Sequence, residues 1–383
     1  MNIFKLPLLV AAVFTAAVFA QSADKEEKSG AKLRFSGDFY INPAYEMQND
    51  WQDKPEDGDK LDAFNVLYNW NTSFGVDFGD KFSLDFRLSN KAGYECDNLA
   101  FKNGSVKELL PYLPNAYFTW KAGEVFSLSG GLLEVSDNTV LNLAAGYETG
   151  GGLYTSFANW ATAYNNSQGG LKIGFDFSEN FSLRLTAALA SETNTFDYAE
   201  EDYIHNEFRF ILDADIALGE KVTLSPVFQS RSYWQNYTVG DKKKNSILLA
   251  YGTDLNVEFS ESVNLGLGLA FGNIKGKGLD VETNGEKNSA FGFLAGVNPE
   301  FTFGVNEVAA GYSFGRASDQ HDKKKDLTTM YHDMYLCWLF RVNDYLALGP
   351  SAYAAIETSK TDNSDVKSGY NWQRFGIEFV GSF

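Results

Sequence analysis

Cysteine and histidine are scarce in this chain of 383 residues, which contains two Cys and three His. Two cysteines cannot build a framework of several disulfides, and we do not expect Cys96 and Cys337 to form a bridge, because Cys96 falls in a polar stretch and Cys337 within a strand-like one. The histidines lie far apart, and the cysteines form no cluster. The sequence therefore offers no metal-ligand motif, and we expect no metal and no other cofactor.

Long apolar runs are also missing after residue 20. Lys5 precedes an apolar stretch from Leu6 to Phe19, and Ala20 ends a group of residues typical of a signal-peptidase site. We predict a secretory signal peptide at residues 1–20 and a short N-terminal segment at 21–31. Since no later run reaches 18 apolar residues, we predict no membrane helix.

Positive charge is in deficit, with 32 Lys and Arg against 50 Asp and Glu and a formal net charge of −18. Loss of the signal peptide would remove Lys5 and no acid, which lowers this value by one unit. A chain this acidic is not expected to bind nucleic acid.

Alternation of apolar and polar residues is what the sequence has in abundance. From Leu33 to Ile41 and again from Phe375 to Phe383 the odd positions are apolar or Gly, and the even positions are mostly polar. Side chains of a strand point alternately to its two faces, so each segment predicts a strand with one apolar face. Matching first and last strands favour a barrel in which they pair and leave no open edge.

Short and long connections alternate along the chain. Short turns occur near 79–81, 123–125, 178–180, 219–221, 260–262, 304–306 and 343–344, and longer polar connections occur near 46–60, 90–114, 133–169, 191–202, 232–245, 273–288, 316–328 and 356–369. Fifteen connections imply sixteen strands. We therefore predict an all-β, transmembrane, antiparallel up-and-down barrel with short periplasmic turns and long extracellular loops. A hairpin near 140–147 would raise the number to eighteen.

The expected diameter of the barrel and the length of its third loop indicate what the interior contains. Sixteen strands spaced ~4.8 Å apart and tilted by ~40° give a diameter of ~32 Å, which wall side chains cannot fill. The third loop, residues 133–169, contains Leu141, Tyr154, Phe157 and Trp160 and is too apolar to extend into water. We expect it to have its own packing or a function.

This layout resembles the trimeric porins of Gram-negative bacteria. The resemblance covers residues 32–383 and implies sixteen strands, a third loop folded into the lumen, a homotrimer, passive diffusion of small hydrophilic solutes, and an outer membrane whose lipid and lipopolysaccharide surround the barrel. The terminal Phe383, with Phe379 and Phe375, resembles the final-strand signature of outer-membrane barrels. That signature implies recognition by the barrel assembly machinery.

Charged residues suggest a constriction. The lumen-facing positions include Arg87, Arg184, Arg209 and Arg374, whereas the third loop offers acids. Those acids are Glu134, Asp137 and Glu148. A basic wall opposite an acidic loop resembles the porin constriction. The other interpretation is an ordinary solvated lumen with paired charges, since Glu378 and other acids also face inward.

Other functions remain open on the sequence. A sugar-selective porin would use aromatic side chains as a stacking path, for which the candidates are Tyr117, Tyr154, Trp160, Tyr331 and Tyr335. These residues could equally pack at the membrane interface or within loops. A structural or adhesive barrel is a further alternative. We do not expect an enzyme, because only His205 among the three histidines faces inward and no nucleophile can be assigned to it.

Overall fold

A computed structural model describes residues 31–52, 58–89, 97–100, 112–133, 168–189, 205–239, 242–277, 287–322, 325–361 and 367–383. Within these ranges the chain forms seventeen strands. They are β1 (Ala31–Gln52), β2 (Asp59–Phe78), β3 (Phe82–Ser89), β4 (Asp97–Ala100), β5 (Tyr112–Ala122), β6 (Phe126–Leu133), β7 (Gln168–Ser178), β8 (Phe181–Leu189), β9 (His205–Ala217), β10 (Val222–Val239), β11 (Lys242–Ser260), β12 (Val263–Lys277), β13 (Lys287–Phe303), β14 (Asn306–Asp322), β15 (Lys325–Asn343), β16 (Leu346–Thr361) and β17 (Lys367–Ser382). Across the described residues, no helix has the length and apolarity needed to cross a membrane.

Every strand pairs antiparallel with its neighbours, and β17 pairs with β1 to close the sheet. The short β4 pairs with residues 65–68 of β2, and β3 pairs with residues 71–78 of the same strand. Because β4 continues the line of β3, the two together occupy one position in the wall. The seventeen strands therefore form a closed barrel of sixteen, which confirms the predicted fold class.

All seven predicted short turns are present between strands. Four of them carry a glycine in the left-handed region of backbone conformation: Gly79, Gly123, Gly219 and Gly304, with φ between 61° and 91°. Glycine lacks the Cβ that makes this region costly for other residues, so it permits a tight reversal. These turns set one end of the barrel, called here the turn end.

Several connections at the other end, called here the loop end, are shorter than the sequence suggested. The predicted loop at 232–245 is reduced to residues 240 and 241, and the one at 316–328 to residues 323 and 324. That part of the prediction was wrong, because strands were ended where the apolar alternation ends. Backbone pairing continues beyond the apolar band: β1 has 22 residues, whereas a membrane-spanning strand needs about 9–11.

The two faces of the wall differ as predicted. Large apolar side chains are exposed on the outward positions, among them Phe35, Phe210, Leu336, Trp338, Phe340 and Ile377. Aromatic rings surround the turn end, where Phe78 contacts Phe82 and Phe177 stacks on Phe181. An exposed apolar belt with aromatic residues at its edge is typical of a lipid-facing surface.

The closing seam between β1 and β17 pairs rings with glycines. Phe383 lies beside Gly37, Phe39 beside Gly381, and Trp51 beside Gly369, in each case directly across the seam. An added Cβ on any of these glycines would come within 2.4 Å of the facing ring. Each of these aromatic rings therefore packs against a glycine of the facing strand. Pairs of this kind also fix strand register in designed sheets.

Several predictions fall on residues outside the described ranges. These are the signal peptide at 1–20, the segment that follows it, Cys96, the third loop after Leu133, and the hairpin near 140–147. They stay predictions.

Candidate functional site: the lumen wall

The inward positions of the barrel bring charged and aromatic side chains together on one continuous surface. Of the predicted constriction residues, Arg87 is half-buried on the inward face of β3, and Arg184 lies on the inward face of β8. Arg209 pairs with Ala188 and Arg231 on the neighbouring strands, at an inward position. Glu134, Asp137 and Glu148 lie outside the described residues, so the predicted facing of acids and arginines is not tested.

Arg184 is tied to two carboxylates on β9. It forms ion pairs with Asp213 and Asp215, the latter at 2.7 Å from Nη1 to Oδ2. Because both partners are on the adjacent strand, the positive charge of Arg184 is balanced within the wall. The alternating pattern of the sequence predicts that Arg184 faces inward, as the structure shows. Only the register of β8 against β9 identifies Asp213 and Asp215 as its partners.

Arg374 is held in a different way. Its side chain is 1% exposed, and its guanidinium carbon lies 5.5 Å from the ring centroid of Tyr353 and 5.4 Å from that of Trp372. The two rings meet edge to face at 5.0 Å. Guanidinium groups stack well on aromatic rings. Arg374 is therefore a packed part of the wall and not a freely exposed cation.

A buried carboxylate lies close by on the same strand. Glu378 is 0% exposed and accepts hydrogen bonds from Tyr40 Oη at 3.3 Å, Tyr335 Oη at 3.3 Å and Cys337 Sγ at 3.3 Å. These donors come from β1 and β15, the strands on either side of the β16–β17 pair. Such a network stabilises a buried carboxylate and ties β1, β15 and β17 to one another.

A second buried carboxylate is Asp333 on β15. It accepts a hydrogen bond of 2.7 Å from Tyr353 Oη and one of 3.4 Å from Ser313 Oγ. Tyr353 thus contacts Asp333 with its hydroxyl group and Arg374 with its ring. The wall over β1 and β14–β17, called here the packed wall, is a connected polar and aromatic cluster that the sequence pattern did not reveal.

Only some of the aromatic residues predicted to form a stacking path lie near one another. Tyr331 and Tyr335 both lie on the inward face of β15 and are buried, with Tyr335 opposite Tyr353 and Tyr331 opposite Glu357 on β16. Tyr117 faces inward on β5, six strands away around the wall. Tyr154 and Trp160 lie outside the described residues.

Charge is unevenly distributed around the lumen. Most inward carboxylates with described side chains lie on β9–β17 and β1, including Glu46, Asp254, Glu300, Glu307, Asp333, Glu357 and Glu378. Most inward cations lie on β1–β8, including Lys32, Arg34, Arg87, Lys121, Lys172 and Arg184. At the turn end Arg34 Nε lies 2.9 Å from Asp77 and its Nη2 lies 2.8 Å from Asp85, so part of this positive charge is also paired. The described residues hold no group of His, Cys, Asp and Glu that could bind a metal ion.

A closed sixteen-stranded barrel with an apolar exterior and a charged inner wall is the fold of bacterial porins. The chain has the same fold as the anion-selective porin from Comamonas acidovorans (TM-score 0.57, 14% identity, 92% of this chain and 100% of that one). It also shares the fold of the outer-membrane channel DcaP of Acinetobacter baumannii (0.56, 10%, 94% and 99%) and of the trimer form of OmpT, an outer membrane protein of Vibrio cholerae (0.51, 12%, 92% and 100%). No family model and no curated protein sequence matches the chain. At these identities the likeness establishes the fold.

Proposed function

We propose that this protein is an outer-membrane porin that forms a water-filled channel for the passive diffusion of small hydrophilic solutes and ions. The observation that carries the proposal is the closed sixteen-stranded barrel, which is exposed and apolar outside and lined with charged residues inside. At ~32 Å, the estimated diameter leaves a lumen that side chains cannot fill. The likeness to porins and channels across more than nine-tenths of the chain supports this function.

The location, export and assembly of the protein are part of the same proposal. The barrel lies in the outer membrane of a Gram-negative bacterium, after export by a signal peptide at residues 1–20. Lipid and lipopolysaccharide surround it, and the barrel assembly machinery inserts it. We propose that it assembles as a homotrimer, which the trimer form of OmpT from Vibrio cholerae supports. It carries out no enzymatic reaction.

The third loop and the charged side chains of the wall would together restrict the channel. The third loop, residues 133–169, folds into the lumen and brings Glu134, Asp137 and Glu148 opposite the wall arginines Arg87, Arg184 and Arg209. Among the wall arginines with described side chains, Arg184 is paired with two aspartates, Arg374 is packed in the wall, and Arg87 is half-buried on the inward face of β3.

A sugar-selective porin is the second candidate. It is favoured by the grouping of Tyr331, Tyr335, Tyr353 and Trp372 on the inward face of three adjacent strands, since aromatic faces and hydroxyl groups suit a sugar ring. Their burial in the packed wall argues for a structural role instead. A barrel that acts only as an adhesin would have no channel.

Planar-bilayer recording on the purified, folded protein tests the proposal. We expect discrete conductance steps that grow in proportion to salt concentration, and none from the same sample after heat denaturation. Reversible block by a neutral oligosaccharide would favour the sugar-selective candidate. Folded protein that inserts and gives no conductance would exclude both channel functions and leave the adhesive barrel.

A further inference from the structure

Three carboxylates and one tyrosine ring lie side by side on the inner wall near the loop end. Glu357 on β16 is directly opposite Tyr370 on β17, and Tyr370 is directly opposite Asp50 on β1. Asp50 is in turn opposite Asp59 on β2. All four occupy inward positions, because they follow the same alternation as the packed wall. This set of four residues across four adjacent strands is called here the mouth row.

The mouth row lies beyond the apolar band and is open to solvent. Tyr370 is twelve residues from Ser382 at the turn end, which corresponds to about 30 Å along the barrel axis at a tilt of ~40°. The apolar band of such barrels is only about 25 Å tall. Asp50 and Asp59 are exposed, and Glu357 and Tyr370 are half-buried. A solute that enters the lumen from the loop end therefore passes these side chains.

The negative charges of the mouth row repel one another. Asp50 and Asp59 are directly opposed, and like charges at such positions of a sheet destabilise it. Asp50 also repels the carboxylate of Glu357 on the other side of Tyr370. Within the described residues, none of the three carboxylates forms an ion pair. A cation that binds between them would relieve this repulsion.

A fourth carboxylate, that of Glu46, borders the mouth row on the side of the turn end. Glu46 is 4% exposed, and its Oε2 accepts a hydrogen bond of 2.6 Å from Asn65, whereas its Oε1 has no hydrogen-bond partner among the described residues. Arg374, directly opposite Glu46, forms no ion pair with it and packs against two aromatic rings. Glu46 and Asp50 both interact electrostatically with Tyr370. A buried acceptor without a donor therefore faces the same place as the exposed carboxylates.

We propose that the mouth row is a binding site for an organic ammonium ion, which deepens the proposed channel function on which it rests by naming a class of solute. The face of Tyr370 attracts an ammonium group within ~6 Å and packs against the apolar part of the same solute. The N–H groups of the solute donate charge-assisted hydrogen bonds to Glu357 and Asp50 on either side of the ring.

A metal ion fits this site less well than an organic cation. A calcium ion requires six to eight oxygen ligands that converge on it at about 2.3–2.6 Å. The ring of Tyr370 separates Glu357 from Asp50, and the described residues hold no group of acids that could bind a metal ion. The spacing therefore suits an extended cation with several N–H donors.

Saturation-transfer NMR on the folded protein in detergent tests the site, with butylammonium as the probe. Tetramethylammonium is the reference, because it has the same charge and no N–H donor. The test variant is Asp50→Asn/Glu357→Gln, and the matched control is Asp80→Asn/Asp344→Asn, which removes two exposed carboxylates at the turn end. We expect the dissociation constant for butylammonium to rise roughly fivefold for each carboxylate removed from the mouth row, and the control to match the native protein.

Two further variants examine the ring. Tyr370→Phe keeps the aromatic face and should bind butylammonium as the native protein does, whereas Tyr370→Leu should bind it about two to five times more weakly. Equal binding by these two variants would overturn the role of the ring. Equal affinity of the native protein for tetramethylammonium and butylammonium, or equal losses in the test and control variants, would overturn the site.

Stability separates a ligand site from a structural ion pair. Without the probe, Asp50→Asn/Glu357→Gln should resist denaturant in detergent at least as well as the native protein, because the change removes like-charge repulsion. A less stable variant would show that the carboxylates are neutralised within the protein, for example by Lys54 between β1 and β2, and would overturn the proposal.

Failure of the site and failure of the channel give different results, because the NMR measurement requires no current. A channel that conducts potassium chloride but does not bind butylammonium would overturn the site alone. Folded protein that binds butylammonium but gives no conductance would overturn the channel alone.

Discussion

Gly37 and Phe383 exchange both of their backbone hydrogen bonds, each 2.9 Å long, across the seam that closes the barrel. The Phe383 ring occupies the space beside the glycine, so that a Cβ on Gly37 would lie 2.4 Å from the ring. The first and last strands are thus joined by a contact that only glycine at position 37 permits.

Gly37→Val should therefore impair closure of the barrel. The larger side chain must displace the Phe383 ring or shift β17, because neither neighbour leaves room for it. The fraction of protein that stays folded on unheated gels should fall. Gly169→Val is the matched control, since a Cβ there would meet no atom within 4 Å. An equal loss for both variants would contradict the role of the seam.

Removal of Phe383 should prevent assembly more strongly than Gly37→Val. The deletion eliminates the hydrogen bonds to Gly37 and the 5.5 Å ring contact with Phe35, in addition to the predicted recognition by the assembly machinery. We expect unfolded, protease-sensitive protein in the periplasm, measured by cell fractionation. Replacement by Tyr keeps the ring and should retain most of the folded product. Normal amounts of folded barrel after deletion would show that the terminal ring is dispensable.

Tyr353→Phe should destabilise the packed wall. The change keeps the ring against Arg374 and Trp372 but removes the 2.7 Å hydrogen bond to the buried Asp333 carboxylate. Removing one partner of a buried hydrogen bond costs about 1–3 kcal/mol. The midpoint of denaturant unfolding in detergent should fall accordingly. Tyr345→Phe is the control, because Tyr345 is 66% exposed at a turn and should tolerate the change.

Deletion of Asn138 to Asn165, with the barrel still folded, should raise single-channel conductance. The third loop is the longest predicted connection and is rich in aromatic residues, whereas the estimated lumen is otherwise wide. Heat-modified gel migration should first establish that the deleted protein is folded. An unchanged conductance would place the loop outside the channel.

A weak cation preference is expected at low salt. The net charge of −18 and the acidic inward positions of β9–β17 attract cations, while Arg184 and Arg34 are largely balanced by neighbouring aspartates. At 0.1 M salt the Debye length is about 10 Å, so the preference should fade as salt rises. Reversal potentials across a salt gradient measure it. Anion preference at ~0.1 M salt would instead implicate Arg87 and Arg209 in an anion path.

The alternation of residue types along the chain is enough to predict which face of the wall each residue occupies and where the chain reverses tightly. Both are local properties: alternation follows from strand geometry, and turns such as that at Gly79 follow from the backbone freedom of glycine. For this reason the closed barrel, its seven short turns and the inward placement of Arg184, Tyr335 and Glu378 could all be predicted.

Tertiary structure alone decided how far the strands continue past the apolar band and which residues meet across them. Alternation carries no register between distant strands, so it could not place Tyr40 and Tyr335 on the same carboxylate of Glu378, or Phe383 beside Gly37. It also could not distinguish an exposed wall arginine from Arg374, which is packed between two rings. These contacts arise only when the sheet closes, because closure fixes every register at once.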